Sequence, residues 1–311
     1  MHATLLLLPL LAVCSTTNQE RAPESHLELI VLGVAQDGGM PHVGCTKACC
    51  TRARHRHEEL FPACLGIRDT HSGALVLFEA TPRIEPQLAL LHESDAGRHG
   101  RTPVDAIVLT HAHIGHYLGL AQLGREVASS RELPVHASPR MASFLRENGP
   151  WSQLVSLKQI RLEEFTFGKP FSPIPGLRVE AIQVPHRDEF SDTAAFKIHG
   201  PKRTVLFCPD VDSWSRHPKL LDRLLAGVDV AYIDGTFYDG SELPGRNLAE
   251  IPHPLMIDTM KQLKERARAR PGSIRFIHLN HTNPALGGGK VREDVLSHGF
   301  RLARRGERLA L

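Results

Sequence analysis

The chain has almost no net charge with which to steer a partner. Its 37 basic residues face 34 acidic ones, leaving a formal +3, so the overall charge lends no support to nucleic-acid binding. Aromatic residues are scarce, at 5%. Beyond the N-terminus no apolar stretch approaches the roughly 20 residues that a membrane-crossing helix needs. There is no internal repeat, low-complexity tract or second linker, which sets aside solenoid and fibrous architectures. Against these absences one residue type stands out. The 19 histidines supply the commonest protein metal ligand. A hydrophobic content of 41% and a charged content of 23% over 311 residues suit a soluble globular protein of one large α/β domain or two small ones.

At the N-terminus the residues from Leu5 to Val13 are almost wholly apolar and are followed by Cys14. That run is too short to cross a bilayer core of about 30 Å but suits the apolar region of a secretory signal. Leu11-Ala12-Val13-Cys14 resembles a bacterial lipoprotein cleavage box. Residues 1–25 are therefore expected to be a leader and linker, and residues 26–311 the folded domain. The expected location is periplasmic, or membrane-anchored through a lipid on Cys14, with the cytoplasm as the alternative.

Short aliphatic runs predict strands at Leu27 to Leu32, Ala74 to Phe78, Ala106 to Leu109, Leu177 to Val184, Thr204 to Phe207, Val228 to Ile233 and Ile274 to Leu279. Helices are expected over Tyr117 to Ser129, Pro139 to Glu147, Pro218 to Leu225 and Pro254 to Ala269. Strands and helices mix along the whole chain, which predicts a layered α/β or α+β domain.

The strand ending at Leu109 runs into Thr110-His111-Ala112-His113-Ile114-Gly115-His116. In extended chain, side chains two apart project to one side, so His111 and His113 can reach a single ion. Gly115 permits a turn that brings in His116. Other aliphatic runs close on Val184-Pro185-His186, Phe207-Cys208-Pro209-Asp210 and Phe276-Ile277-His278.

This pattern resembles the HxHxDH signature of the metallo-β-lactamase superfamily, which implies a four-layer αββα sandwich. Carried over by position, His111, His113 and His186 would hold a first metal ion, and His116, Asp210 and His278 a second, with Asp210 bridging. The implied ions are Zn2+, with Mn2+ or Fe2+ as alternatives, and one or two of them. Gly115 stands where the signature has aspartate. The second site is therefore expected to be weak, Gly115→Asp is expected to strengthen it, and a carboxylate such as Asp188 would have to compensate in a tight natural site. A bound Zn2+ would lower the pKa of water to about 7, with Asp210 orienting the hydroxide and handling its proton. His253 and Asp234 are candidates for substrate or ligand-orienting contacts, with a purely structural role as the alternative.

Cys45, Cys49 and Cys50 lie within six residues, a thiolate density that suits zinc, although an exported protein could instead hold a disulfide. The cluster resembles the structural zinc site of two branches of the superfamily, the phosphonate-pathway cyclic phosphodiesterases and the coenzyme PQQ synthesis protein B group. That resemblance implies His281 as a further ligand. Lys47 occupies a position where those branches carry cysteine. Similarity to the PQQ synthesis group runs through most of the chain, in Val31-Leu32-Gly33 with Asp37-Gly38-Gly39, Ala80-Thr81-Pro82, Asp234-Gly235-Thr236 and Thr282-Asn283-Pro284. The expected function is metal-dependent hydrolysis of a phosphodiester or other ester-like bond in a small-molecule substrate. A quinone-binding carrier or a PQQ-pathway oxidative enzyme is the alternative. Neither nucleic acid nor any membrane contact other than a lipid at Cys14 is indicated, and oligomeric state is left open.

Overall fold

The computed structural model describes residues 26–92 and 101–311. The expected leader and Cys14 lie outside them. Among the described residues no helix is long and apolar enough to cross a membrane.

In chain order the strands are β1 (Leu27–Gly33), β2 (Cys64–Asp69), β3 (Leu75–Phe78), β4 (Ala106–Val108), β5 (Leu133–Ala137), β6 (Ile160–Glu164), β7 (Pro170–Phe171), β8 (Arg178–Val184), β9 (Thr193–His199), β10 (Thr204–Cys208), β11 (Val230–Asp234), β12 (Ile274–Ile277), β13 (Arg301–Leu302) and β14 (Arg308–Ala310). They form two seven-stranded sheets, ordered β14-β1-β2-β3-β4-β5-β6 and β13-β12-β11-β10-β9-β8-β7.

The two-residue period of a strand decides what each sheet buries. On β1, Leu27, Leu29 and Val31 enter the core shared with the second sheet, while Ile30 and Leu32 face the opposite way. On β3, Val76 and Phe78 point inward and Leu75 and Leu77 outward. The outward set packs against Ile84, Leu91, Met141, Leu145 and Leu154, which come from helices on that side. Leu224, Met256, Met260, Ala267 and Val295 cover the second sheet from helices on its outer side. The result is the expected αββα sandwich.

Strand direction then places the chemistry. β3, β4, β5 and β6 are parallel, and β1 runs with them because it is antiparallel to β2, which is antiparallel to β3. β8 runs with β10 through antiparallel β9, and β10, β11 and β12 are parallel. Every strand that leads into a candidate ligand therefore shares its direction with the others of its sheet, and their C-terminal ends deliver the ligands to one edge.

Two helix expectations need correction. Tyr117 to Ser129 is not one helix but a four-residue helix, Ile114–Tyr117, followed by a 3-10 segment, Leu118–Leu123. The backbone groups that would extend an α-helix are used elsewhere: the His116 carbonyl accepts from Ala80 N–H at 2.7 Å, and Gly119 N–H donates to Ala80 O at 2.8 Å. Pro254 to Ala269 is broken at Leu263 into Met256–Gln262 and Lys264–Ala269.

His136 on β5 stacks on Phe171 with ring centroids 5.2 Å apart. Burial, aided by the charge of Arg161, lowers its pKa to about 4. In the unfolded chain the imidazole titrates near 6.5, so on acidification the unfolded state takes up this proton first. The associated stability is intact above about pH 6.5 and is lost progressively towards about pH 4. His136→Phe should shrink the fall in Tm across that window in thermal melts. An unchanged fall would show that other groups set the acid limb.

Candidate metal centre

At the shared edge, ligand atoms of His111, His113 and His186 lie within 4.8 Å of one another, as do those of Asp37, His116, Asp210 and His278. His111 Nε2 is 2.8 Å from His113 Nδ1. Asp210 stands between the two groups. Its Oδ1 is 3.7 Å from His186 Nε2, and its Oδ2 is 3.6 Å from His111 Nε2, 2.9 Å from His116 Nε2 and 3.3 Å from His278 Nε2.

The donor set fits metal better than it fits itself. Asp37 Oδ1, Asp210 Oδ2, His116 Nε2 and His278 Nε2 are all buried without a hydrogen-bond partner. The four carboxylate–imidazole separations among them, including 3.2 Å and 3.8 Å from Asp37 Oδ1 to His116 and His278, run from 2.9 to 3.8 Å. Ligands about 2.0–2.1 Å from a tetrahedral zinc ion lie roughly 3.3 Å apart. Orphaned buried donors are costly unless something satisfies them, and a divalent cation at their common centre would do so.

Outer hydrogen bonds select which nitrogen each imidazole offers. Thr110 Oγ1 is 2.8 Å from His111 Nδ1, which leaves Nε2 for the ion. Glu189 Oε2 is 3.0 Å from His113 Nε2, which leaves Nδ1. His278 Nδ1 lies 3.0 Å from Thr236 Oγ1, whose hydroxyl donates to Asp234 Oδ1 at 2.7 Å. Glu79, fully buried, has Oε1 3.2 Å from His116 Nδ1. Glu79 and His278 have φ of 79° and 61°, a left-handed conformation that costs a non-glycine residue on the order of 1–3 kcal/mol.

Electrostatics point the same way. Burial drives His111 well below the usual imidazole range, helped by His116, and lowers His186 to about 4, so both stay neutral and able to ligate. Burial opposes ionisation of Asp210 and of Asp37, yet the surrounding histidines hold both carboxyls well below their usual range. Burial likewise opposes a charged His116, but Glu79, Asp210 and Asp37 outweigh it and raise its pKa.

His253 lies beside both groups, its ring centroid 5.3 Å from that of His186 and 5.9 Å from that of His278. Its Nδ1 is 2.8 Å from Asp234 Oδ2. Asp234 also accepts from the backbone N–H groups of Val211 and Thr236 and is fully buried, so it orders the centre rather than facing solvent.

All six expected active-site ligands thus come together. Asp188 belongs to neither group, and Asp212, two residues beyond Asp210, is held by Arg216 at 2.9 Å. Sequence reasoning missed Asp37, Glu79, Thr110 and Glu189. Glu79 carried a usable signal, since it directly follows an apolar strand.

Cys45, Cys49, Cys50 and His281 form a separate group within 4.8 Å. Cys49 Sγ and Cys50 Sγ are 3.9 Å apart, far beyond the roughly 2.05 Å of a disulfide, and all three thiols are free. His281 Nδ1 is buried without a partner, while its ring stacks on His42 at 4.6 Å. Burial raises the Cys50 thiol to about 11, whereas the backbone N–H of Lys47 lowers that of Cys45. Lys47 itself only precedes the helix Ala48–Arg56. Cys49, not Lys47, joins Cys45, Cys50 and His281 in this group.

Fold and donor set together define a metallo-β-lactamase-type protein, and the chain belongs to the beta-lactamase superfamily domain family, whose model matches residues 75–279. Among curated proteins it is similar to coenzyme PQQ synthesis protein B of Methylobacterium sp. (strain 4-46), 26% identical over 92% of this chain and 100% of the relative. The protein of that name from Rhizobium meliloti is 25% identical over 89% of this chain and 96% of the relative. Among solved structures it resembles Zn2+-bound PqqB from Methylobacterium extorquens, with a TM-score of 0.75, 20% identity and coverage of 91% of this chain and 100% of that one. A diphosphatase from the PhnP family follows at a TM-score of 0.64 and 19% identity, covering 91% and 96%. At these identities the solved structures speak for the fold.

Cys50→Ala should lose one zinc equivalent and much thermal stability while His111 and His113 stay metallated, because structural zinc contributes folding energy directly. Thiol counting on denatured, metal-stripped protein checks the ligand state. Cysteines that react only after reduction would contradict the zinc assignment.

Proposed function

We propose that the chain is a metal-dependent hydrolase of a phosphodiester or other ester-like bond in a small-molecule substrate. The observation that carries this reading is the position of Asp210 between two histidine groups, with a carboxylate-held histidine alongside. His111, His113 and His186 would hold one ion, and His116, Asp210 and His278 would contribute to a second. A Zn2+ ion in such a setting supplies a Lewis acid for the ester oxygen and lowers the pKa of water to about 7.

The chain's own residues supply the remainder. Asp210 aims an oxygen at each group and can accept a proton from an attacking water. His253 gives its Nδ1–H to Asp234, which leaves Nε2 to exchange a proton with the leaving oxygen. Burial disfavours charge on His253, but Asp234 more than compensates and raises its pKa, so it can carry that proton near neutrality. Thr236 ties the orientations of His278 and His253 to the same carboxylate.

The curated relatives favour a second reading, a carrier for PQQ or a similar quinone, because they match nearly the whole chain. An oxidative role of the PQQ pathway would use the same pocket.

Turnover of a chromogenic phosphodiester should vanish with chelator and return with Zn2+ or Mn2+. His113→Ala should lose the first ion and all turnover. His253→Asn should cut kcat by roughly 10²–10⁴-fold, the usual contribution of a general acid, with metal content unchanged. Stoichiometric quinone binding by fully metallated protein that turns over no ester in a substrate panel would overturn the hydrolase in favour of the carrier.

A further inference from the structure

Gly115 takes the position at which the superfamily signature carries a metal-binding aspartate, and its surroundings are already filled. A Cβ built on Gly115 would lie 2.1 Å from Asp37 Oδ1, 2.4 Å from Asp37 Cα and 2.8 Å from Asp37 Cβ. Contacts this short with backbone do not occur in proteins. Asp37 therefore occupies the volume that a side chain at position 115 would need, and each residue excludes the alternative at the other.

Asp37 brings the missing chemistry into that volume. Its Oδ1 is buried, without a hydrogen-bond partner, 3.2 Å from His116 Nε2 and 3.8 Å from His278 Nε2. Those nitrogens and Asp210 Oδ2 are orphaned as well, so the four atoms form one closed donor group. The loop that carries Asp37 is tied to the segment that carries His278. Leu279 N–H donates to Val34 O, and Gln36 N–H to Leu279 O, each at 2.9 Å. Further along, the same loop reaches Cys45 and leads into the helix that carries Cys50, and both lie close to His281 from the segment after β12. Asp37 and His278 are thus held against each other from both sides.

We propose that the second ion's carboxylate ligand has moved in this chain from the histidine motif to the β1 loop. Asp37 acts as that ligand, and Gly115 is glycine because Asp37 needs its space. This inference rests on the metal centre of the preceding reading but not on its reaction. It also reverses two expectations from the sequence. The compensating carboxylate is Asp37 rather than Asp188, and Gly115→Asp alone should weaken the second site by displacing the loop.

The test is metal occupancy, read by plasma mass spectrometry after dialysis against a zinc buffer and by zinc-edge anomalous scattering in crystals. Asp37→Asn, nearly isosteric, should lower affinity for the second ion at least tenfold while the ion on His111, His113 and His186 remains. Gly115→Asp alone should also lose the second ion. Asp37→Gly combined with Gly115→Asp should regain it. Circular dichroism and Tm of each variant separate loss of a ligand from loss of fold.

Full retention of the second ion by Asp37→Asn, or tighter binding by Gly115→Asp alone, would overturn the proposal. Either result would leave the hydrolase reading standing. Conversely, an inert protein whose second ion depends on Asp37 would sink the hydrolase and keep the ligand assignment.

Discussion

Asp210 is only 2% exposed, yet its carboxyl is held in the ionised form among histidines. An isolated buried carboxylate costs several kcal/mol, a cost that only close, well-placed positive charge offsets. The nearest imidazole, His116 at 2.9 Å, supplies part of that charge, but the two on the other side do not. Burial keeps His111 and His186 neutral, so they present lone pairs rather than protons. Neutral imidazoles around an ionised carboxylate make a good metal site and a poor ion-pair network. The surrounding structure makes sense as the means of holding these groups together until a divalent cation arrives.

That means is strand direction. Ligands from both sheets meet because β1, β4, β8, β10 and β12 all end at one edge. Packing on both faces fixes the register of these strands, and a one-residue slip would turn every side chain to the opposite face. The core between the sheets therefore sets the aim of the donors as well as the stability of the fold. Around them, Thr110, Glu189, Thr236 and Asp234 choose nitrogens and lock rings. The cysteine group meets His281 of the segment after β12, so a zinc ion held there would link a structural feature distant from the chemistry to the placement of Asp37 and His278.

The sequence disclosed the parts of this arrangement that follow a period. Apolar runs marked the strands that carry His111, His186, Asp210 and His278, and each ligand was legible because it closes such a run. β2 and β9 were not marked, since Gly66 and Arg68 interrupt one and the Ala-rich, Lys-bearing run of the other gives weak hydrophobicity. Asp37 was invisible for a different reason. It lies four residues beyond β1, in the Asp37-Gly38-Gly39 run that carried a family resemblance but no ligand role, and its relation to Gly115 is a matter of shared volume between positions far apart in sequence. The broken helix after His116 was hidden likewise, because its backbone hydrogen bonds go to Ala80.

The proposed metal centre requires Asp210 to join two metal positions at this edge. Zinc-edge anomalous scattering from crystals of the zinc-loaded protein tests it directly. Two peaks about 3.5–4 Å apart, the usual spacing of paired catalytic ions, are expected. One should lie against His111, His113 and His186, the other against His116 and His278, with Asp210 touching both. A single peak, or a pair that leaves Asp210 without metal contact, would contradict it.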